Sequence, residues 1–119
     1  VEGSRLHERF VRYCEVRSPT GEEREIADTL AAELRAMGLG VEEDEAAGPA
    51  EAGAGNLIAR AAGDGEGWLM FCAHIDTVPH RGQVEVVEDE GVFRSRGDTI
   101  LGADNKAAVA VFMELVARH

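Results

Sequence analysis

An α/β fold, with a mixed and mostly parallel sheet sandwiched between helices, is predicted by three observations. Two amphipathic helical stretches precede a series of short strand-like segments, and a last helical stretch follows them, the alternation expected of a sheet covered by helices. The run Trp68-Leu69-Met70-Phe71-Cys72-Ala73 is apolar on both faces of an extended chain, which suits a central strand covered from both sides. The last helical stretch is apolar nearly all round and therefore expects cover on more than one face. One domain over residues 1–119 holds these elements, and no internal repeat is present.

Leu6, Phe10, Tyr13 and Cys14 recur at helical spacing, which predicts a first helix from Ser4 to Val16 that Ser18-Pro19 ends. Thr20-Gly21-Glu22-Glu23 has the form of a capping box, so a second helix is expected to start at Thr20. Ile26, Leu30, Leu34 and Met37 form its apolar face, and Gly38 is placed to take the left-handed conformation that stops it. A short strand over Leu39 to Glu42 leads into the acidic run Glu42-Glu43-Asp44-Glu45, expected to be a solvated loop that continues to Gly55. Asn56 to Ala61 reads as a strand, Gly63 to Gly67 as a turn, and Trp68 to His74 as the central strand. Val84 to Glu88 and Val92 to Arg94, joined by Asp89-Glu90-Gly91, form an expected antiparallel hairpin. The final helix covers Asn105 to Arg118, with Val109, Phe112, Met113 and Val116 on one side and Val111 and Leu115 on another.

With 45% hydrophobic and 29% charged residues in 119, the composition is that of a globular protein and excludes a disordered chain or a fibre. A formal net charge of −11 argues against nucleic acid or an anionic membrane as partner, because phosphate binding draws on clustered Lys and Arg. The two cysteines, Cys14 and Cys72, lack the spacing of a zinc knuckle or a disulfide framework and are expected to be buried free thiols in a reducing compartment. No secretory signal opens the chain and no apolar run approaches the ~20 residues that cross a bilayer, so a cytoplasmic location is expected.

The residues with most chemical content are His74 and Asp76, at the end of the expected central strand. Positions i and i+2 of an extended chain project to the same face, so the imidazole and the carboxylate stand side by side. Open α/β sheets place ligand sites at the carboxyl ends of their strands. A carboxylate next to a ligating histidine holds the far N–H, fixes the tautomer and makes the other nitrogen more basic. Asp76 is then the orienting residue and His74 a metal ligand; a plain hydrogen-bonded pair at a strand end is the competing reading. The second stretch, Gly97 to Lys106, leads into the final helix. Asp104 stands where an N-cap belongs, and Lys106 places a cation in a first helical turn, where it needs nearby anions to offset the helix dipole. Carboxylates gathered at a metal site are one such source. One carboxylate can bridge two divalent ions about 3.5–4 Å apart, and His with carboxylate ligation suits zinc.

These residues resemble a known family, the zinc aminoacylase, carboxypeptidase and acetylornithine deacetylase group to which peptidase T belongs. The resemblance is carried by His74-Ile75-Asp76-Thr77-Val78 and Gly102-Ala103-Asp104-Asn105-Lys106, with Ser18-Pro19-Thr20-Gly21-Glu22-Glu23, Gly38 and Gly55-Asn56-Leu57-Ile58-Ala59 in support. It implies a zinc-exopeptidase-like catalytic domain, present in part, with His74 as ligand of one zinc, Asp76 as its orienter and Asp104 as the carboxylate bridging two zincs. The wording Thr99-Ile100-Leu101-Gly102-Ala103-Asp104 is most similar to the tripeptidase and peptidase T branch, where Asn105 stands in place of a common Asp.

That branch implies an aminopeptidase acting on short peptides through metal-activated water, and a homodimer in the complete protein. A deacylase of N-acyl amino acids and a non-catalytic scaffold or binding module are the alternatives. The family's downstream Glu-Glu pair, which supplies the base and a ligand, has no counterpart after Lys106. The chain alone is therefore expected to lack turnover. Glu22-Glu23 and Glu42-Glu43 precede His74 and carry no such role, and His80, in the loop beyond the motif, is not assigned one.

Overall fold

Helix α1 (Ser4–Glu15) and helix α4 (Ala103–Arg118) form the most extensive contact of the fold, and helix α2 (Arg24–Ala36) completes the helical layer. The computed structural model describes residues 4–119; Val1 to Gly3, which lead into the first helix in the sequence reading, lie outside the described residues. Strand β1 (Gly40–Glu43) pairs antiparallel with β2 (Leu57–Arg60), and β3 (Val86–Asp89) with β4 (Val92–Ser95). A one-turn helix, α3 (Ala47–Ala50), interrupts the loop between β1 and β2. The α/β class holds. Among the described residues both strand pairs are antiparallel, and parallel pairing is confined to an isolated bridge between Pro19 and Thr77.

The core is where the apolar stripes of the three long helices meet. Tyr13, Ile26, Leu30, Leu34, Val109, Ala110 and Met113 form one buried cluster, and Val41, Leu57, Ala73 and Ile75 pack against it from the strand side. The stripe predicted for α2 is therefore the one that is buried. Its end is also as predicted: Gly38 has φ +89, its N–H bonds to Arg35 O at 2.9 Å, and Leu39 N–H reaches back to Leu34 O at 3.1 Å. This is a Schellman stop, in which glycine accepts the left-handed conformation without a Cβ penalty. The predicted β3–β4 hairpin also forms, although β3 starts two residues later than expected and Asp89 belongs to it, which shortens the connection to Glu90-Gly91. Glu90 and Gly91 have φ of 49 and 79, the two positive values that a two-residue type I′ turn requires.

Several expectations are corrected. Helix α2 starts at Arg24 and not at Thr20, with no side-chain cap bond. The Glu23 carboxylate finds two loop amides, Gly21 N and Gly53 N, each at 2.6 Å, so the capping box does not form. The acidic run is solvent-exposed, as expected, but only partly a loop, since Glu42 and Glu43 end β1, and two of its carboxylates have fixed partners. Glu43 accepts both Arg24 Nη atoms at 2.8 Å and Gly55 N at 2.9 Å, while Asp44 accepts from Ala46 N, Asn56 N and Asn56 Nδ2. The arginine and the amide hold the Glu43 carboxyl at about 2, below the usual carboxylate range.

The expected central strand, Trp68 to His74, forms no strand among the described residues, and Trp68, Leu69, Met70 and Phe71 are exposed. A strand apolar on both faces needs sheet neighbours and helical cover, and the described residues supply neither; Phe71 touches only the edge of α4, with its ring 5.3 Å from that of Phe112. Cys72 lies in the same segment and is exposed, so only Cys14 is the buried thiol that was expected. On α4, Val109 and Met113 face the core while Val111 and Leu115 stay exposed, so the second apolar face predicted for this helix is uncovered among the described residues.

A polar network ties the three helices together. Tyr13, the single tyrosine, donates to Glu33 Oε2 at 2.5 Å; Arg9 Nη1 reaches the same oxygen at 2.7 Å, and Arg9 Nε reaches Glu114 at 3.1 Å. Burial, and then the bond to Glu33, push the Tyr13 phenol up to about 12. An ultraviolet titration of the folded chain is expected to show phenolate near that value, moving back toward the ordinary one in Glu33→Gln. The folded pKa is the higher one, so this stabilisation is complete below about pH 10 and is lost as pH rises toward 12. A native phenol that titrates at its ordinary value would show that Tyr13 is neither buried nor bonded to Glu33 as described, and an unchanged value in Glu33→Gln would show that the bond adds nothing to the burial.

Candidate metal centre

The segment from Ala73 to Thr77 has no sheet of its own, and the α1–α2 connection holds it in place. Ser18 Oγ donates to Ile75 O at 2.9 Å, Thr77 N donates to Ser18 O at 2.9 Å, and Thr20 N donates to Thr77 O at 3.0 Å. Ala73 and Ile75 pack on the core, so His74 between them turns outward and is half exposed. Its Nδ1 lies 2.9 Å from Asp76 O and 3.0 Å from Asp76 Oδ1. With two acceptors against it, Nδ1 carries a proton; Nε2 is the outward-facing nitrogen, which donates while the ring is protonated and exposes a lone pair once that proton is lost.

Nε2 faces the carboxylate of Asp104, with Oδ1 at 2.9 Å. Asp104 is not the N-cap expected of it. Gly102, with φ +83, occupies that position, and Asp104 and Asn105 have non-helical backbone angles. Capping falls to Asn105, whose Oδ1 accepts from Ala108 N at 3.3 Å. Relieved of capping, the Asp104 carboxylate is 93% exposed and is held by His74 alone. Glycine is required at 102 by conformation and by space, since a Cβ there would sit 3.3 Å from the Thr77 methyl. Close approach of the two loops is what brings Asp104 to His74.

Lys106 is also corrected. Its side chain is buried and its ammonium donates to Tyr13 O and Val16 O, both at 2.9 Å. The anionic partner that offsets its position at a helix start is the carbonyl end of α1, and not carboxylates gathered at a metal site. Burial pulls its pKa down to about 8.

Charge at the site follows from these contacts. The bond to the Asp104 carboxylate and the contacts with Asp76 raise the pKa of His74, against a smaller opposing effect of burial. The Asp76 carboxyl is held below its usual range first by the Thr20 hydroxyl, which donates to Oδ2 at 2.5 Å, and then by His74. Sequence reasoning missed Thr20 as a site neighbour, because a hydroxyl ahead of a helix carries the same signature whether it caps that helix or serves a neighbouring carboxylate. Glu23 and Glu43 are engaged elsewhere, and His80 makes no hydrogen bond to His74, Asp76 or Asp104 among the described residues.

The donor chemistry of the pair suits zinc, an imidazole nitrogen with a neighbouring carboxylate oxygen. Two donors on one tetrahedral zinc stand about 3.3 Å apart, so the present 2.9 Å gap needs only a small outward swing of an exposed carboxylate. Among the described residues no group of three His, Cys, Asp or Glu side chains is placed to hold an ion, so the chain offers fewer than the three protein ligands usual for zinc.

Helices packed on short strands form an α/β fold that draws a histidine and two aspartates together where two loops meet. The structure matches a tripeptidase from Staphylococcus aureus subsp. aureus mu50 at a TM-score of 0.88 and 37% identity, over 95% of this chain and 31% of that one. It matches the aminopeptidase PepT from Bacillus cereus ATCC 10987 at 0.88 and 34% identity, with the same coverage. In sequence it is 35% identical over 117 residues to the uncharacterized protein YqjE of Bacillus subtilis (strain 168), covering 98% of this chain and 32% of that protein. The chain thus spans about a third of the length of each of these relatives. No protein-family model matches it. No helix among the described residues is long and apolar enough to cross a membrane.

Proposed function

We propose that this chain is the metal-binding part of a zinc-dependent aminopeptidase of the tripeptidase and PepT type, with short peptides as substrate and a homodimer as the complete assembly. The observation that carries the reading is the outward Nε2 of His74, 2.9 Å from the Asp104 carboxylate, with Nδ1 occupied by Asp76. In that arrangement His74 is a ligand, Asp76 fixes its ring and tautomer, and Asp104 is the carboxylate available to bridge two ions. When bound, zinc supplies carbonyl polarisation and a water of lowered pKa. The residues described here hold and orient; none is placed as a general base. Peptide hydrolysis then needs groups from outside residues 4–119.

Metal titration of the 119-residue chain tests this. Weak zinc binding is expected, and no measurable binding in His74→Ala or in Asp104→Ala, each of which leaves a single protein ligand, together with negligible tripeptide hydrolysis. Zinc uptake indifferent to both substitutions, or robust hydrolysis by the chain alone, would sink the proposal. A second reading, a non-catalytic binding module, is favoured by the exposed Val111 and Leu115 on α4. A module would bind its partner equally well with and without His74.

A further inference from the structure

We propose that Thr20 is a positioning residue for His74 that acts through Asp76; the proposal rests on His74 being a metal ligand. Its hydroxyl donates to Asp76 Oδ2 at 2.5 Å, while Asp76 Oδ1 accepts from His74 Nδ1 at 3.0 Å. The three side chains form one line: hydroxyl to carboxylate, carboxylate to imidazole, and imidazole outward through Nε2.

Three features make this line more than a surface contact. A carboxylate bonded at one oxygen is free to exchange χ1 rotamers and to turn about χ2, whereas one bonded at both oxygens by anchored partners is held in a single rotamer with its plane fixed. The Asp76 side chain is only 30% exposed, and Thr20 and His74 hold its two oxygens. Thr20 is itself anchored: its N–H bonds to Thr77 O, and the next residue, Gly21, is pinned by Glu23. Finally, the hydroxyl has no helix to cap, because α2 begins four residues further on. Among the described residues the one other acceptor within its reach is Thr77 O, at 3.2 Å, and the single hydroxyl hydrogen goes to the closer and charged one.

The His74 ring has a second restraint in Asp76 O, so loss of the hydroxyl loosens the ring without releasing it. In Thr20→Val, zinc affinity is expected to fall about tenfold, the low end of what removing a partner behind a metal ligand costs. Thr20→Ser restores the donor and is expected to stay within about twofold of the parent. Scalar couplings in the metal-free chain supply a readout independent of zinc: one Asp76 χ1 rotamer in the parent and in Thr20→Ser, and rotamer averaging in Thr20→Val. In an Asp76→Ala background Thr20→Val is expected to have no further effect on affinity, since the route runs through Asp76.

An unchanged rotamer and unchanged affinity in Thr20→Val would overturn the proposal. So would an undiminished loss in the Asp76→Ala background, which would assign the effect to the Thr77 contact. Should Thr20→Val fail to fold, Thr20→Ala carries the same comparison. If the parent chain takes up no zinc, the metal reading fails, and the rotamer readout still decides the Thr20–Asp76 link.

Discussion

Alanine at Gly55 is expected to destabilise the fold by about 3 kcal/mol or more, the upper end of what overpacking costs. A Cβ built there would lie 2.0 Å from Asp44 O and 2.8 Å from Asp44 Oδ1. The first of those atoms is backbone, so the chain itself has to move. It can move only by breaking the Gly55 N bond to Glu43 or the clasp of Asp44 on Asn56, and these close the loop between β1 and β2. Urea unfolding measures the effect, with Gly48→Ala as control: Gly48 lies in α3 and a Cβ there meets nothing within 4 Å. The control is expected to be neutral or slightly stabilising. A Gly55→Ala protein as stable as the parent would show that the two segments do not approach this closely.

Ile26→Ala is the second substitution with a large expected cost, about 2–5 kcal/mol. Ile26 has no solvent exposure and sits in the one cluster where α1, α2 and α4 meet, so little around it can collapse into the space left behind. Set against a total stability of about 5–15 kcal/mol for ordinary domains, that loss is severe. It also reaches the site. Ala73 and Ile75 pack on the same cluster, on either side of His74, so a cavity at position 26 removes part of the floor on which the His74 segment rests. Amide exchange is therefore expected to speed up from Ala73 to Thr77 as well as in α2. Unchanged protection of that segment in a folded Ile26→Ala protein would show that the core and the site are mechanically separate.

How much of this was legible in the sequence depends on the range over which each signal acts. The stripe of α2, the Gly38 stop and the Glu90-Gly91 turn were all readable, because each is decided by residues within one or two turns of chain. The candidate site was half legible. His74 and Asp76 are two residues apart, and their contact follows from local geometry even though the strand expected to carry them is absent. Asp104 was identified by resemblance, yet its freedom from capping depends on Asn105 taking that task, which composition does not reveal.

Long-range partners were not legible. Thr20 and Asp76 stand 56 positions apart, and nothing near Thr20 distinguishes a hydroxyl that caps a helix from one that serves a remote carboxylate. The Trp68 to Ala73 run failed for a related reason. Its apolar pattern states what a strand requires of its surroundings, and whether those surroundings exist is a property of the remaining structure.

The bond from Lys106 to the end of α1 has a consequence for when the site comes into being. Its partners, Tyr13 and Val16, lie 93 and 90 residues away along the chain. Closing so long a loop carries an entropic cost that no local element offsets on its own, so contacts of this separation form with the global transition and not ahead of it. Asp104 is two residues from that anchor. The contacts that hold His74 and Asp76, Ser18 to Ile75 and Thr20 to Asp76, themselves span 57 and 56 residues and rest on a core that includes α4, so the pairing of His74 with Asp104 is expected to assemble in one step with the docking of α4.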